Sequence, residues 1–235
     1  MPASIWNRFR RRAAKQSGFS IICAFNNQEK LDRFLLKSLR GQSVPFEILT
    51  IDNRNGLFTS APRILNETAR KAKYDLLMFV HQDVALGSLS WLADVQKTLR
   101  RLKSLGAAGV AGRSSKDMFA CVAHGNPAKP AESCPFKHPV PVQTLDGCLM
   151  IVPKAVFFEQ GFDEATCNGW YLYVANYCLD LARRGRKVYV LPNEVYHESM
   201  GPSDPAVYET AKADLFKKHR DHVKRIYTTV GVWKT

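Results

Sequence analysis

Apolar residues in this chain alternate between two spacings. Phe19–Phe25, Phe46–Ile51 and Asp75–Val80 are short, nearly continuous apolar runs, as expected of strands covered on both faces. Between them Leu31, Phe34, Leu35 and Leu39, and then Ile64, Leu65, Ala69 and Ala72, recur at helical spacing. Asp52-Asn-Arg-Asn-Gly56 supplies a turn after the second run, and Ser60 is placed to cap the second helix with Pro62 in its first turn. Ser88 is the expected cap of a third helix, with Leu89, Leu92, Val95, Leu99 and Leu102 as its stripe and Gly106 as its stop. This β-α-β-α-β-α order predicts an α/β fold with a mostly parallel central sheet flanked by helices.

The second half is less regular. Ala107–Gly112, Leu145–Val152 and Val188–Leu191 read as strands, and Tyr171, Val174, Ala175, Cys178, Leu179 and Ala182 mark a helix face. Residues 113–141, with five prolines and no period, read as a long surface loop. The organisation expected is a basic tail or amphipathic segment at 1–18, a first half at 19–112, a second half at 113–202 and a C-terminal helix over 203–235.

Charge adds a constraint on partners. There are 34 Lys and Arg against 21 Asp and Glu, a net +13, which favours anionic ligands or surfaces. The basic residues are dispersed rather than interleaved with aromatics on one face, so nucleic acid is not the expected partner. Arg8, Arg10, Arg11, Arg12 and Lys15, beside Ile5, Trp6 and Phe9, suit peripheral contact with a membrane. No apolar stretch is long enough to span a bilayer. The six cysteines form no C-x-x-C pair and no secretory apolar segment opens the chain, so a reducing, cytoplasmic setting without a disulfide framework is expected.

The candidate chemistry sits where strands end, because open parallel sheets bind ligands beyond the carboxyl ends of their strands. Asn26 and Asn27 follow the first strand, Asp52 the second, and His81-Gln82-Asp83 the third. A carboxylate there is suited to a hard divalent ion that bridges two phosphates. No G-x-G-x-x-G, P-loop or G-x-S-x-G sequence is present, which argues against dinucleotide, P-loop and α/β-hydrolase chemistry.

Phe19–Asn27, Ile51-Asp52-Asn53 and Leu76–Asp83 together resemble the nucleotide-binding half of a family 2-type glycosyltransferase with the GT-A fold. Leu145-Asp-Gly147, Gly161-Phe-Asp-Glu164, Trp170–Leu179 and Val195–Ser199 follow in that family's order, so the resemblance covers about residues 19–200. The His-Gln-Asp form resembles a subgroup of glycosyltransferase-like proteins. The resemblance implies a nucleotide-binding half at 19–112 and an acceptor-binding half at 113–202. It implies transfer of a sugar, with inversion, from a nucleotide-diphosphate donor (UDP-sugar favoured) to a glycan, lipid or protein acceptor. Asp83, His81 and His197 would hold a divalent metal, with Mn²⁺ favoured over Mg²⁺ by the imidazoles. Phe25, Asn26, Asp52, Asn66, Gln82 and Arg113 would bind the donor, Asp52 through its base. The general base of such enzymes is an aspartate, and Asn176 stands at that place here; an amide does not take a proton. Asp146 and Glu164 are the preferred substitutes, with Asp163, Asp180 and Glu198 in reserve. Two other readings stay open: a catalytically degenerate binding domain and, below it, a nucleotidyltransferase.

Overall fold

The computed structural model describes residues 17–124, 134–199 and 204–235. The basic segment at the N-terminus lies, up to residue 16, outside them. β1 (Phe19–Phe25) enters a helical stretch of α1 (Gln28–Leu31), a π turn (Asp32–Leu36) and α2 (Lys37–Leu39). β2 (Phe46–Asp52) leads to α3 (Ala61–Ala69), and β3 (Leu76–Val80) leads to β4 (Val84–Leu86) and α4 (Trp91–Leu99). Seven strands follow: β5 (Leu105–Gly109), β6 (Ala111–Arg113), β7 (Met118–Ala120), β8 (Val122–Ala123), β9 (Val140–Val142), β10 (Thr144–Leu145) and β11 (Leu149–Pro153). The chain continues through α5 (Lys154–Phe157), α6 (Tyr173–Arg183), β12 (Lys187–Val190), β13 (Val195–His197) and α7 (Pro205–His219) to a hairpin, β14 (Arg225–Thr228) and β15 (Gly231–Lys234).

The central sheet has the order β2-β1-β3-β11-β5-β12-β9. β1 pairs in parallel with β2 and β3, and β5 with β12, while β11 and β9 run against their neighbours. Five of the seven strands therefore point one way, as the β-α alternation predicts. Side chains alternate across this sheet into two cores. Ile22, Leu77 and Phe79 pack on one face with Leu65 of α3 and Tyr177 of α6; Ile21, Cys23 and Met78 pack on the other with Leu35, Trp91 and Leu92. A fully buried side chain of this size contributes about 1.5–3 kcal/mol, so the strand ends are held by a frame buried on both sides.

Several sequence expectations change. Ser60 caps α3 through the Arg63 amide, as expected, but α4 begins after Ser90 rather than Ser88. The carbonyl of Ser88 is taken by the Gln42 side chain, and Leu89 is exposed instead of joining the stripe. Within the supposed loop at 113–141 stand β7, β8 and the start of β9; the turn into β7 is made by Ser114, whose hydroxyl accepts from the amides of Lys116 and Asp117. The strand read at 145–152 is broken at Asp146-Gly147-Cys148 into β10 and β11. The C-terminal helix stops at His219, and the hairpin replaces its expected continuation. Cys23, Cys148 and Cys178 are buried free thiols, but Cys121 and Cys134 form a disulfide with their Cα atoms 4.8 Å apart, against the expectation of no such bond. A separation of 13 residues does not by itself disclose the pairing.

Candidate functional site

The ends of β1 and β3 are tied together by Gln82. Its Oε1 accepts from the backbone amides of Asn26 and Asn27, both at 2.9 Å, and its Nε2 donates to Asn26 Oδ1 at 2.7 Å. Asn27 in turn caps α1 by accepting from the Lys30 amide. At the end of β2, Arg54 grips both oxygens of Asp52, with Nη2 to Oδ2 at 2.6 Å, and its guanidinium carbon lies 5.8 Å from the ring centroid of Phe25. The Arg54 hydrogen bond holds the Asp52 carboxyl below its usual range.

Beside these ends, β4, β13 and β8 form a small sheet. Val84 of β4 is opposite His197 of β13, which sets Asp83 at the mouth of the same sheet. His197 Nε2 lies 3.4 Å from Asp83 Oδ1. The other carboxylate oxygen, Oδ2, accepts from the Ser199 amide at 3.1 Å and from the Ser199 hydroxyl. Asp83 is 3% exposed. Burial pushes its carboxyl up, but the nearby His197 ring and the bonds from Ser199 outweigh this and leave it far below the usual carboxylate range. His81, whose amide donates to the Cys148 carbonyl, completes the group. Ligand atoms of His81, Asp83 and His197 all lie within 4.8 Å of one another. Desolvation, then the neighbouring His197, lowers the His81 imidazole, which keeps it neutral and able to ligate.

His81 and His197 open onto a cavity of about 370 Å³. Its other walls come from the β10–β11 break, from Trp170, Tyr171 and the first turn of α6, from Met118 and Ala120 of β7, and from the turn of the C-terminal hairpin. Asp146 is the one carboxylate on this lining among the described residues. Its Oδ1 accepts from the Cys148 amide at 2.9 Å and its Oδ2 from the Thr229 hydroxyl at 2.6 Å. Burial raises its carboxyl, and these two bonds more than reverse the effect. Leu172, just before α6, is held at φ 61°. A left-handed conformation in a side chain other than glycine costs about 1–2 kcal/mol, and here it aims Tyr171 and Tyr173 at the cavity.

The remaining sequence candidates lie elsewhere. Asn66 bonds the backbone of Phe162 and the Glu164 carboxylate, all at 2.8 Å, so Asn66 and Glu164 form one surface group away from the cavity lining. Arg113 lies in β6 opposite Thr144 and is likewise off the lining. Asn176 is 1% exposed and faces α7: its Oδ1 accepts from Lys218 Nζ at 3.0 Å and His219 Nε2 at 2.8 Å. Val174 and Ala175 are the α6 residues turned to the cavity at that level. Of the reserve carboxylates, Asp163 and Asp180 both bond Lys218, and Glu198 pairs with Lys30 at 2.6 Å. Arg54, Ser199, Thr229 and His124 are site residues that the sequence reading passed over. Only Arg54 and Ser199 had a signal, Arg54 two residues after Asp52 and Ser199 directly after Glu198.

The family model described as "Glycosyltransferase like family" matches residues 20–225. No curated protein sequence matches the chain. Among solved structures, GalNAc-T7 with UDP, GalNAc and Mn²⁺ superposes with a TM-score of 0.64 at 14% identity, over 87% of this chain and 48% of that one. The mannosyltransferase PcManGT from Pyrobaculum calidifontis, with GDP-Man and Mn²⁺, gives 0.61 at 14% identity over 90% and 66%. S. aureus TarS 1-349 with UDP-GlcNAc gives 0.58 at 16% over 86% and 64%. The chain thus spans about half to two thirds of the length of these proteins, and at such identities the likeness establishes the GT-A fold alone. With the family model covering most of its length, the chain belongs to the glycosyltransferase-like family.

Proposed function

We propose that this protein transfers a sugar from a nucleotide-diphosphate donor, a UDP-sugar in the first instance, to an acceptor hydroxyl, with a divalent cation held by Asp83, His81 and His197. The observation that carries the reading is the convergence of those three residues at the edge of the cavity. One carboxylate and two imidazoles are a mixed oxygen and nitrogen set, which suits Mn²⁺ better than Mg²⁺. When bound, the ion supplies Lewis-acid neutralisation of the leaving diphosphate. Two of the solved neighbours hold Mn²⁺ together with UDP or GDP-Man, which supports the same chemistry here.

The chain's own residues divide the remaining work. Gln82 fixes the Asn26–Asn27 backbone at the donor end, and Asp52 with Arg54 above Phe25 offers a planar, charged edge for the base and ribose. Asp146 is our choice for the general base: it is ionised at neutral pH, lies on the cavity lining and is oriented by Thr229 and the Cys148 amide. A carboxylate that takes the acceptor hydroxyl's proton as the diphosphate leaves would give a displacement with inversion. Trp170 and Tyr171 on the outer wall offer aromatic faces to a glycan or lipid-linked acceptor.

Thermal-shift titration with UDP- and GDP-sugars, with and without Mn²⁺, tests the reading. A donor at 100 times its Kd stabilises by about 2.7 kcal/mol. We expect a Mn²⁺-dependent rise in melting temperature for the wild type and none for Asp83→Ala. Equal donor binding by both proteins in the presence of metal refutes the cation assignment. Binding without any turnover, hydrolysis included, would support the alternative of a binding domain, the reading suggested by the amide at Asn176.

A further inference from the structure

The residue that follows the third strand of the small sheet is a histidine to which the cation assignment gives no role. In the parallel pairing of β13 with β8, Val195 stands opposite Val122 and Tyr196 opposite Ala123. One step further along both strands sets His197 beside His124. Nδ1 of His124 lies 2.8 Å from the backbone oxygen of His197, and the two rings are 5.8 Å apart between centroids. A carbonyl oxygen can only accept, so Nδ1 carries a proton and donates it here. His124 also lines the cavity shared by His81 and His197.

Two observations fix its part. Its ring nitrogens fall outside the trio whose ligand atoms lie within 4.8 Å of one another, so His124 stands one step out from the cation rather than on it. The pairing of the strands does not depend on it either, since the Val195 amide already bonds the Cys121 carbonyl at 3.0 Å at the other end of the same ladder. The His124 bond is thus an additional tether at the ligand-bearing end of β13. Groups that orient a metal-binding histidine commonly change metal affinity by 10–100-fold when removed.

We propose that His124 is a positioning residue of the cation centre: its Nδ1–H holds the His197 carbonyl and so sets the imidazole of His197 against Asp83. This inference rests on the cation assignment of the proposed function, and the test separates the two. Binding of Mn²⁺ alone is measured on the full chain by loss of the free-ion electron paramagnetic resonance signal, for wild type, Asp83→Asn, His124→Phe and His124→Asn. The amide of His124→Asn places a donor where Nδ1 stood. We expect His124→Phe to bind Mn²⁺ at least tenfold more weakly than wild type and His124→Asn to recover to within about threefold of wild type. If wild type binds no Mn²⁺, or Asp83→Asn binds it equally well, the cation assignment fails and takes this inference with it. If wild type binds, Asp83→Asn does not and His124→Phe matches wild type, this inference alone is overturned. It is also overturned if His124→Asn is as weak as His124→Phe, because the bond is then not what matters. Where His124→Phe shows no cooperative melt, His124→Ala is read in its place.

Discussion

Lys218 ties α7 to α6 and to the segment before it. Its ammonium bonds Asp163 Oδ2 at 2.9 Å, Asn176 Oδ1 at 3.0 Å and Asp180 Oδ2. Lys218→Met keeps most of the stem and removes the charge. An exposed ion pair is worth at most about 1 kcal/mol, whereas breaking a fully buried one costs about 3–5 kcal/mol. The Lys218, Asp163 and Asp180 side chains are 22%, 28% and 19% exposed, so this network falls between those limits. Two carboxylates and an amide oxygen left facing one another put the loss at about 2–3 kcal/mol. For a chain of this length that is a fall in melting temperature of about 4–12 °C. Circular dichroism melts at pH 7 give the number, and a double-mutant cycle with Asp180→Asn should return a coupling of about 1 kcal/mol or more. Mn²⁺ affinity should be unchanged, since none of the four groups lies on the cavity lining. A fall below 2 °C, or sites that behave additively, would show that the contacts are exposed pairing only and that Asn176 is not held by them.

Three further outcomes are expected. His219 is fully buried, donates from Nε2 to Asn176 and has no partner at Nδ1 among the described residues, and burial brings its imidazole down to about 4. Its neutral form is favoured by folding, so its stability contribution is whole above pH 6.5 and is lost as pH falls from 6.5 through 4. On the order of 3 kcal/mol should disappear over that window in urea unfolding, and His219→Gln should flatten the slope; a wild-type slope of zero there contradicts the burial argument. Gln82→Leu removes the acceptor for two amides and should cost about 1 kcal/mol of stability, but should abolish the donor-induced thermal shift, because the strand-end backbone loses its clamp. Reduction of Cys121–Cys134, which closes a segment of 13 residues, should cost up to about 3 kcal/mol; an unchanged melt with reductant, or free thiols at both positions in non-reducing peptide maps of purified protein, refutes the bond as a stabilising feature.

What could be read from the sequence was whatever depends on near neighbours. β1 and β3 announce themselves because each is buried on both faces, β2 is a half-exposed edge strand that still reads as an apolar run, and all three stop at polar clusters. β7 has three residues and β8 two, too few to express a period, so the region at 113–141 reads as a loop although it carries a wall of the cavity. Asp146 sits inside an apolar run that looks like one strand, and only the folded chain shows that the run breaks there to lower its carboxylate into the cavity. The partners of Asp83 lie 116 residues away at Ser199, and those of His197 lie 73 residues back at His124. Register across a sheet brings such pairs together, and no local pattern encodes it.

The helix α6 shows how far a local pattern reaches before orientation takes over. Asn176 and Asp180 are one turn apart and share a face, which the spacing alone predicts, and Lys218 bridges both of them. The spacing does not say where that face points. It points at α7, while Tyr173, Val174 and Ala175 meet the cavity. A carboxylate at position 176 would therefore face the ammonium of Lys218 and the Nε2–H of His219, with no path to an acceptor hydroxyl. The amide at Asn176 is then a packing choice: it accepts from both neighbours without adding a third negative charge beside Asp163 and Asp180. That shifts the question of the base to the broken strand at Asp146, the position where a charged oxygen, a hydroxyl that orients it and the open cavity coincide.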